Sequence, residues 1–226
     1  MRIGKLRELI EEFHTVFAGR SSIVDSIVPP LVFLIVNALS GLEYATWGAL
    51  LVALSFAVFR LVRRQPLRNA LGGLGAVGAA ILISRLLGRA EGYFLPAIVT
   101  GGLTVGVAVI SVIAGRPLVA LTSHVYRRWP LAWYWHPQVR PAYSEVTWLW
   151  AVFFAIRLLF QLSLLQGKAA GLLAVLQVVT GWPATILLLV ISYLYGTWRL
   201  RQLRGPSIEE FKMGADPPWT GQRRGF

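Results

Sequence analysis

The residue with the most chemical potential is Arg157, which interrupts an otherwise apolar run between Val146 and Gln166. A guanidinium at mid-bilayer depth costs about 3 kcal/mol or more by insertion scales, so it must face partners or a task. Gln161 follows one helical turn later on the same face. Gln177, in the next apolar run, falls at roughly the same depth if the two runs are antiparallel helices. Asn37, in the first run, sits about 7 Å nearer the opposite surface at 1.5 Å per residue. With Asp25, four residues before Pro29-Pro30, these five side chains form a candidate polar track. Two readings stand: a polar latch that holds three helices together, or a site for an anion or a lipid headgroup. Asp25 beside two prolines has the chemistry of a proton or cation site. It could equally be an interfacial charge paired with an arginine. The same holds for Glu145, with Arg20 or Arg140 as examples of a partner.

Other motifs lose their usual meaning in this chain. Gly73-Leu74-Gly75-Ala76-Val77-Gly78 matches G-x-G-x-x-G, but no strand precedes it and it lies inside an apolar run. The dinucleotide reading therefore falls. In lipid such small residues let helices approach closely. Gly72, Ala76 and Ala80 form one row at four-residue spacing; Gly75 with Ala79, and Gly102 with Gly106, form others. They predict that the third and fourth runs pack closely, or that one of them forms a homodimer face. Cysteine is absent, which excludes disulfides and thiolate chemistry. His14, His124 and His136 all lie outside the apolar runs, an arrangement unsuited to a buried haem or chlorophyll. No catalytic residues, metal ligands or cofactor-binding residues are expected.

The elements that must position these residues are six apolar runs: 22–42, 43–62, 67–87, 94–114, 146–166 and 169–197. Each is near the length needed to cross a bilayer. Hydrophobic residues make up 56% of the 226, and the mean hydropathy is +0.62. The formal charge of +12 would suggest nucleic acid in a soluble protein, but its distribution points elsewhere. With the N-terminus inside, eighteen basic residues fall on the inner side and only Arg85, Arg89 and Lys168 outside. That asymmetry is the positive-inside signal. The third run is the weakest, with only fifteen uncharged residues from Ala70 to Ser84. Without it, every later loop would change sides. The expectation is an all-α polytopic membrane protein of six spans in three hairpins, with both termini cytoplasmic.

Three segments lie outside this block. Residues 1–21 read as an amphipathic helix on the inner leaflet, with Ile3, Leu6, Ile10, Phe13 and Phe17 near helical spacing. Their glutamates argue against a cleavable signal, so the first span is expected to act as an uncleaved anchor. Residues 115–145 interleave Tyr126, Trp129, Trp133, Tyr134 and Trp135 with Arg127, Arg128 and Arg140, and read as an interfacial aromatic-basic loop. Residues 201–226 form a cytoplasmic tail. Ser207 and Glu210 predict a capping box there, and the Pro- and Gly-containing stretch 213–226 reads as loose. Arg64-Gln65-Pro66, Gly115-Arg116-Pro117 and Arg204-Gly205-Pro206 punctuate the three inner turns. They fit a threefold repeat, or only the ordinary end of a span.

Residues 21–200 resemble a family of bacterial six-span membrane proteins of unknown function. The resemblance is carried by Asp25 through Phe33 with Asn37, by Phe59 through Gln65, and by Gly88 through Glu91 with Phe94-Leu95-Pro96. Thr147 through Trp150 with Phe154, Arg157 and Gln161, and Gly115 through Leu118, complete it. The family is distantly similar to the intracellular septation protein A group, which implies a link to envelope synthesis or division. It implies no catalytic residues. The resulting expectation is a multi-pass protein of the bacterial plasma (inner) membrane, acting as a non-enzymatic accessory or scaffold. Its partners would be the bilayer, anionic lipids at the inner face, and a protein partner or second copy, with no nucleic acid and no cofactor. The alternative is a small transporter or channel built on the track of Asp25, Asn37, Arg157, Gln161 and Gln177.

Overall fold

A computed structural model describes residues 23–63, 67–222 and 225–226, with side chains from 28, and from 71 after the first gap. The expected amphipathic helix over 1–21 and the side chain of Asp25 lie outside the described residues. Every described element is helical. Four stretches are long and apolar enough to cross a membrane, by length and composition: Leu42–Val62, Ala90–Ile113, Arg140–Gln166 and Ala170–Leu203. Val28–Ser40 and Leu71–Leu87 are shorter apolar helices. The chain divides into two compact units, Met1–Gly92 and Tyr93–Phe226.

In the first unit, α1 (Ile23–Ser40) runs through both prolines. It meets α2 (Leu42–Val62) at Gly41, whose φ of 84° turns the chain within one residue. Helix α2 packs against both α1 and α3 (Leu67–Leu87). Its buried row is Ala45, Ala49, Ala53 and Ala57, one small residue per turn. A side chain at Gly48 would touch Val32 and Val36 of α1. At the far end of α3, Arg85 donates through Nη2 to Thr46 Oγ1 at 2.8 Å, and its guanidinium lies over the Trp47 ring.

α3 packs on α2, and the small residues that face inward belong mainly to α2. Ala80 is buried, but Ala76 is exposed, and a Cβ at Gly72 or Gly75 would meet open space. A glycine row permits close approach but does not require it, and four alanines, one per turn, bury more apolar surface.

In the second unit, α7 (Arg140–Gln166) is the central helix. After a short 3₁₀ turn at Ala90–Phe94, α4 (Leu95–Ile113) packs along it. Gly102 approaches Leu158, whereas a Cβ at Gly106 would meet nothing. The fourth run thus finds its partner in the fifth. α5 (Leu118–Arg127) and α6 (Leu131–Tyr134) follow before α7 begins. After α7 come α8 (Ala170–Val179), α9 (Trp182–Leu203) and α10 (Ile208–Met213).

Within the segment 115–145 the large aromatics are divided: Tyr126 is exposed, whereas Trp133 and Tyr134 are packed inward. Trp133 and Tyr134 have no exposed surface, and with Ala120, Val139, Ala142, Tyr143 and Leu200 they form a closed core. Most of its aromatic rings meet edge to face, as at Tyr134–Tyr143, where centroids are 5.0 Å apart, while Trp129 stacks on Tyr134. The buried indole of Trp133 donates to Pro206 O at 2.8 Å, and the Tyr134 hydroxyl donates to Ser123. Composition alone does not separate a belt from a core, because both need large amphipathic rings near a membrane surface.

The described residues of 213–226 are not loose. Phe226 stacks on Tyr143 with centroids 4.4 Å apart, and its ring fills the space above Gly196. Arg127 Nε donates to Phe226 O at 3.1 Å. Trp219 packs edge-on against His136, whose pKa burial pushes down. The capping box predicted at Ser207 and Glu210 is present. Glu210 also accepts from the Thr220 amide and hydroxyl, both at 2.8 Å. Two aromatic anchors hold a segment whose remaining residues look like a linker.

The amides of Thr220 and Ser207 hold the Glu210 carboxyl well below its ordinary value, at about 2. A depressed carboxyl stabilises above its unfolded value of 4.5 and loses that stabilisation as pH falls through about 2. Tryptophan fluorescence of the detergent-solubilised protein should therefore report loosening of this module between pH 4.5 and 2. In Glu210→Gln that component of the titration is expected to vanish, and an unchanged profile would remove the assignment.

Candidate functional site

Along α7, Glu145, Trp150, Arg157 and Gln161 form a seam that spans about 24 Å at 1.5 Å per residue, the last three sharing one face. Every one of these side chains bonds across to α8 or α9. At one end Glu145 takes both Nε and Nη2 of Arg199, at distances from 2.7 to 3.0 Å. Tyr195 donates its hydroxyl to the same carboxylate at 2.8 Å. The partner is therefore Arg199 and not Arg140, because Arg199 faces α7 while Arg140 points toward Gly115. Next, the Trp150 indole donates to Ser192 Oγ at 2.8 Å.

The other end of the seam is built around a break. The sixth apolar run is not one helix: α8 stops at Val179 and α9 starts at Trp182. Gly181 fills the corner, where a Cβ would lie 2.6 Å from Gln177 O. Pro183 has no N–H, so it can give Val179 O no helical donor. The carbonyls at the end of α8 carry the negative pole of its dipole and lack some of their helical partners.

Arg157 answers that defect. Its Nη1 donates to Thr180 O at 3.2 Å and its Nη2 to Gln177 Oε1 at 2.8 Å. Gln161, buried, donates Nε2 to the same Gln177 oxygen at 3.0 Å. The arrangement puts a delocalised cation where a helix C-terminus ends in apolar surroundings. It neutralises the dipole and supplies donors that the chain itself cannot. Arg157 Nε is buried with no hydrogen-bond partner among the described residues.

The structure thus brings together Arg157, Gln161 and Gln177 of the five predicted track residues. Asn37 lies half-buried on α1 of the first unit, where its carbonyl accepts from the Gly41 amide. Asp25 lies earlier on the same helix. Sequence reasoning missed the Thr180 carbonyl, which is a backbone group exposed only by the break. The signal for it was Gly181-Trp182-Pro183, a glycine and a proline two residues apart inside an apolar run. It also missed Arg199 and Tyr195 as partners of Glu145. Among the described residues, no group of three His, Cys, Asp or Glu side chains could hold a metal ion.

The chain belongs to the family described as Protein of unknown function (DUF3159), which matches residues 17–201. No curated protein and no solved structure matches it. The family match includes the whole seam and ends before α10 and the segment that seats Phe226.

Removing Gln177 should harm the fold more than removing Arg157. Gln177→Leu leaves a guanidinium with one carbonyl in apolar surroundings, which costs about 3 kcal/mol. Arg157→Leu removes the charge itself and leaves Gln177 bonded to Gln161, but it orphans the Thr180 carbonyl, so about 2 kcal/mol is expected. Thermal unfolding in one detergent compares the two; the reverse order would show that the guanidinium is not a buried charge held by Gln177.

Proposed function

We propose that the protein is a non-enzymatic scaffold or accessory protein of the bacterial inner membrane, with six spans and both termini in the cytoplasm. The observation that carries this reading is that Arg157, Gln161 and Gln177 are bonded to one another and to the α8 end. Their hydrogen-bonding capacity serves the helix break, which fits a latch better than a track for solutes. The six-span arrangement rests on the two shorter apolar helices joining the four long ones. The inside location of both termini rests on the basic residues crowded into the inner turns. The lipid-facing surface fits as well: Leu103, Ile110, Leu159, Phe160 and Leu187 are all exposed on the spanning helices. A link to envelope synthesis or division follows from the resemblance to the septation protein A group alone.

A second reading has one observation in its favour. A helix broken within a bilayer-length segment beside an arginine is how many carriers bind ions. Under that reading the Thr180–Gly181 corner is part of an anion path.

Two measurements decide between them. Purified protein in liposomes is expected to leave them tight to chloride and phosphate, whereas anion flux abolished by Arg157→Leu would overturn the scaffold reading. Mild-detergent purification from native membranes should then retain a protein partner at fixed stoichiometry. Reporter fusions at each end are expected to read cytoplasmic, and a periplasmic signal from either would sink the six-span arrangement.

A further inference from the structure

α5 has two faces, one turned to the aromatic core and one exposed. Ala120, Ser123, His124 and Arg127 turn inward: Ala120 is buried, Ser123 meets Tyr134, and His124 Nδ1 lies 2.7 Å from Trp129 O. Arg127 lies over the Trp129 ring. The opposite face presents Thr122, Val125 and Tyr126 to the outside. Val125 is 73% exposed and Tyr126 60%. This is an apolar strip on a helix that already has its core on the other side.

The level of the helix is set by the two spanning helices it touches. The Leu118 amide donates to Ser111 Oγ of α4 at 2.9 Å. The Val119 amide donates to Thr147 Oγ1 of α7 at 3.2 Å. These side chains take the place of an N-cap and fasten the start of α5 to the inner ends of both helices. Around the strip stand three exposed arginines. Arg116 precedes the helix, Arg128 closes it with a φ of 54°, and Arg140 brings Nη1 to the Gly115 turn. From Gly92 to Ser144 the chain contains no acidic residue.

From this geometry we propose that α5 lies against an anionic phospholipid surface. The Val125–Tyr126 strip enters the apolar boundary, and Arg116, Arg128 and Arg140 meet the headgroup phosphates. Apolar residues on one side and basic residues at the margins are the pattern of an interfacial helix. A second copy of the chain is a poor occupant. An isologous contact would set this acid-free basic patch against itself. The proposal rests on the membrane reading above and assigns it a specific lipid-binding element, coupled through α5 to the aromatic module.

The chain has no cysteine, so single-cysteine labelling is clean. Val125→Cys is labelled with a polarity-sensitive fluorophore. Leu159→Cys, on the outer face of α7, is labelled as the reference. The full chain is placed in nanodiscs of phosphatidylcholine alone, or of phosphatidylcholine with phosphatidylglycerol. The Leu159→Cys label should report an apolar environment in both; if it does not, the membrane reading itself fails. The Val125→Cys label should move to an apolar environment only with phosphatidylglycerol, and move back in high salt. Each Arg→Gln change at positions 116, 128 or 140 should weaken this transfer about fivefold, from about 1 kcal/mol per basic residue. The matching Arg→Lys changes should largely restore it, which separates charge from misfolding. A Val125→Cys label that ignores lipid composition overturns the proposal. So does one buried with disulfide cross-links between copies, which would assign the face to a dimer.

Discussion

In apolar surroundings a backbone carbonyl without a donor is among the costliest groups a chain can carry. The run from Ala170 to Leu203 creates such groups by breaking at Thr180-Gly181, and the seam along α7 is organised around that break. Arg157 reaches the Thr180 carbonyl, Gln177 holds the guanidinium, and Gln161 holds Gln177. A lysine at 157 could not replace it, because a point charge lacks the planar fork that spans a backbone oxygen and a side-chain amide together. The charge is therefore expensive and also the group best suited to close the defect beside it.

The opposite end of the seam solves a different problem with similar means. Glu145, Arg199 and Tyr195 join α7 to α9 near the turn into the aromatic module. Within that module Trp133, Tyr134 and Tyr143 supply large apolar area from few residues, and Phe226 adds to it from far along the chain. Gly196 is needed where α9 passes beneath the Phe226 ring, since any side chain there would occupy the same space. A basic segment can fold tightly here because its arginines stay at the margin, with Arg127 alone drawn onto Trp129 and Phe226 O.

Small residues show how packing depends on more than spacing. Gly72, Gly75 and Ala76 have the right period, yet their face is open, while Ala45, Ala49, Ala53 and Ala57 are buried on α2. Both rows are visible as patterns. Which one is used depends on what stands opposite, and Val32 and Val36 of α1 stand opposite α2 at Gly48.

What the sequence determined by itself was set by local quantities. Helical class follows from apolar run length, the capping box from Ser207 and Glu210, and the closeness of Arg157, Gln161 and Gln177 from their heights along antiparallel helices. Each depends on nearby residues or on a rise per residue that lipid and helix geometry dictate. The tertiary structure decided the rest: the Glu145–Arg199 pair, the aromatic core and the seat of Phe226. These contacts join residues tens of positions apart, and many other pairs of the same types would have suited the sequence equally well. Tryptophan among arginines is compatible with a membrane belt or a buried core. Only the arrival of Leu200, Pro206 and Phe226 beside it selects the core.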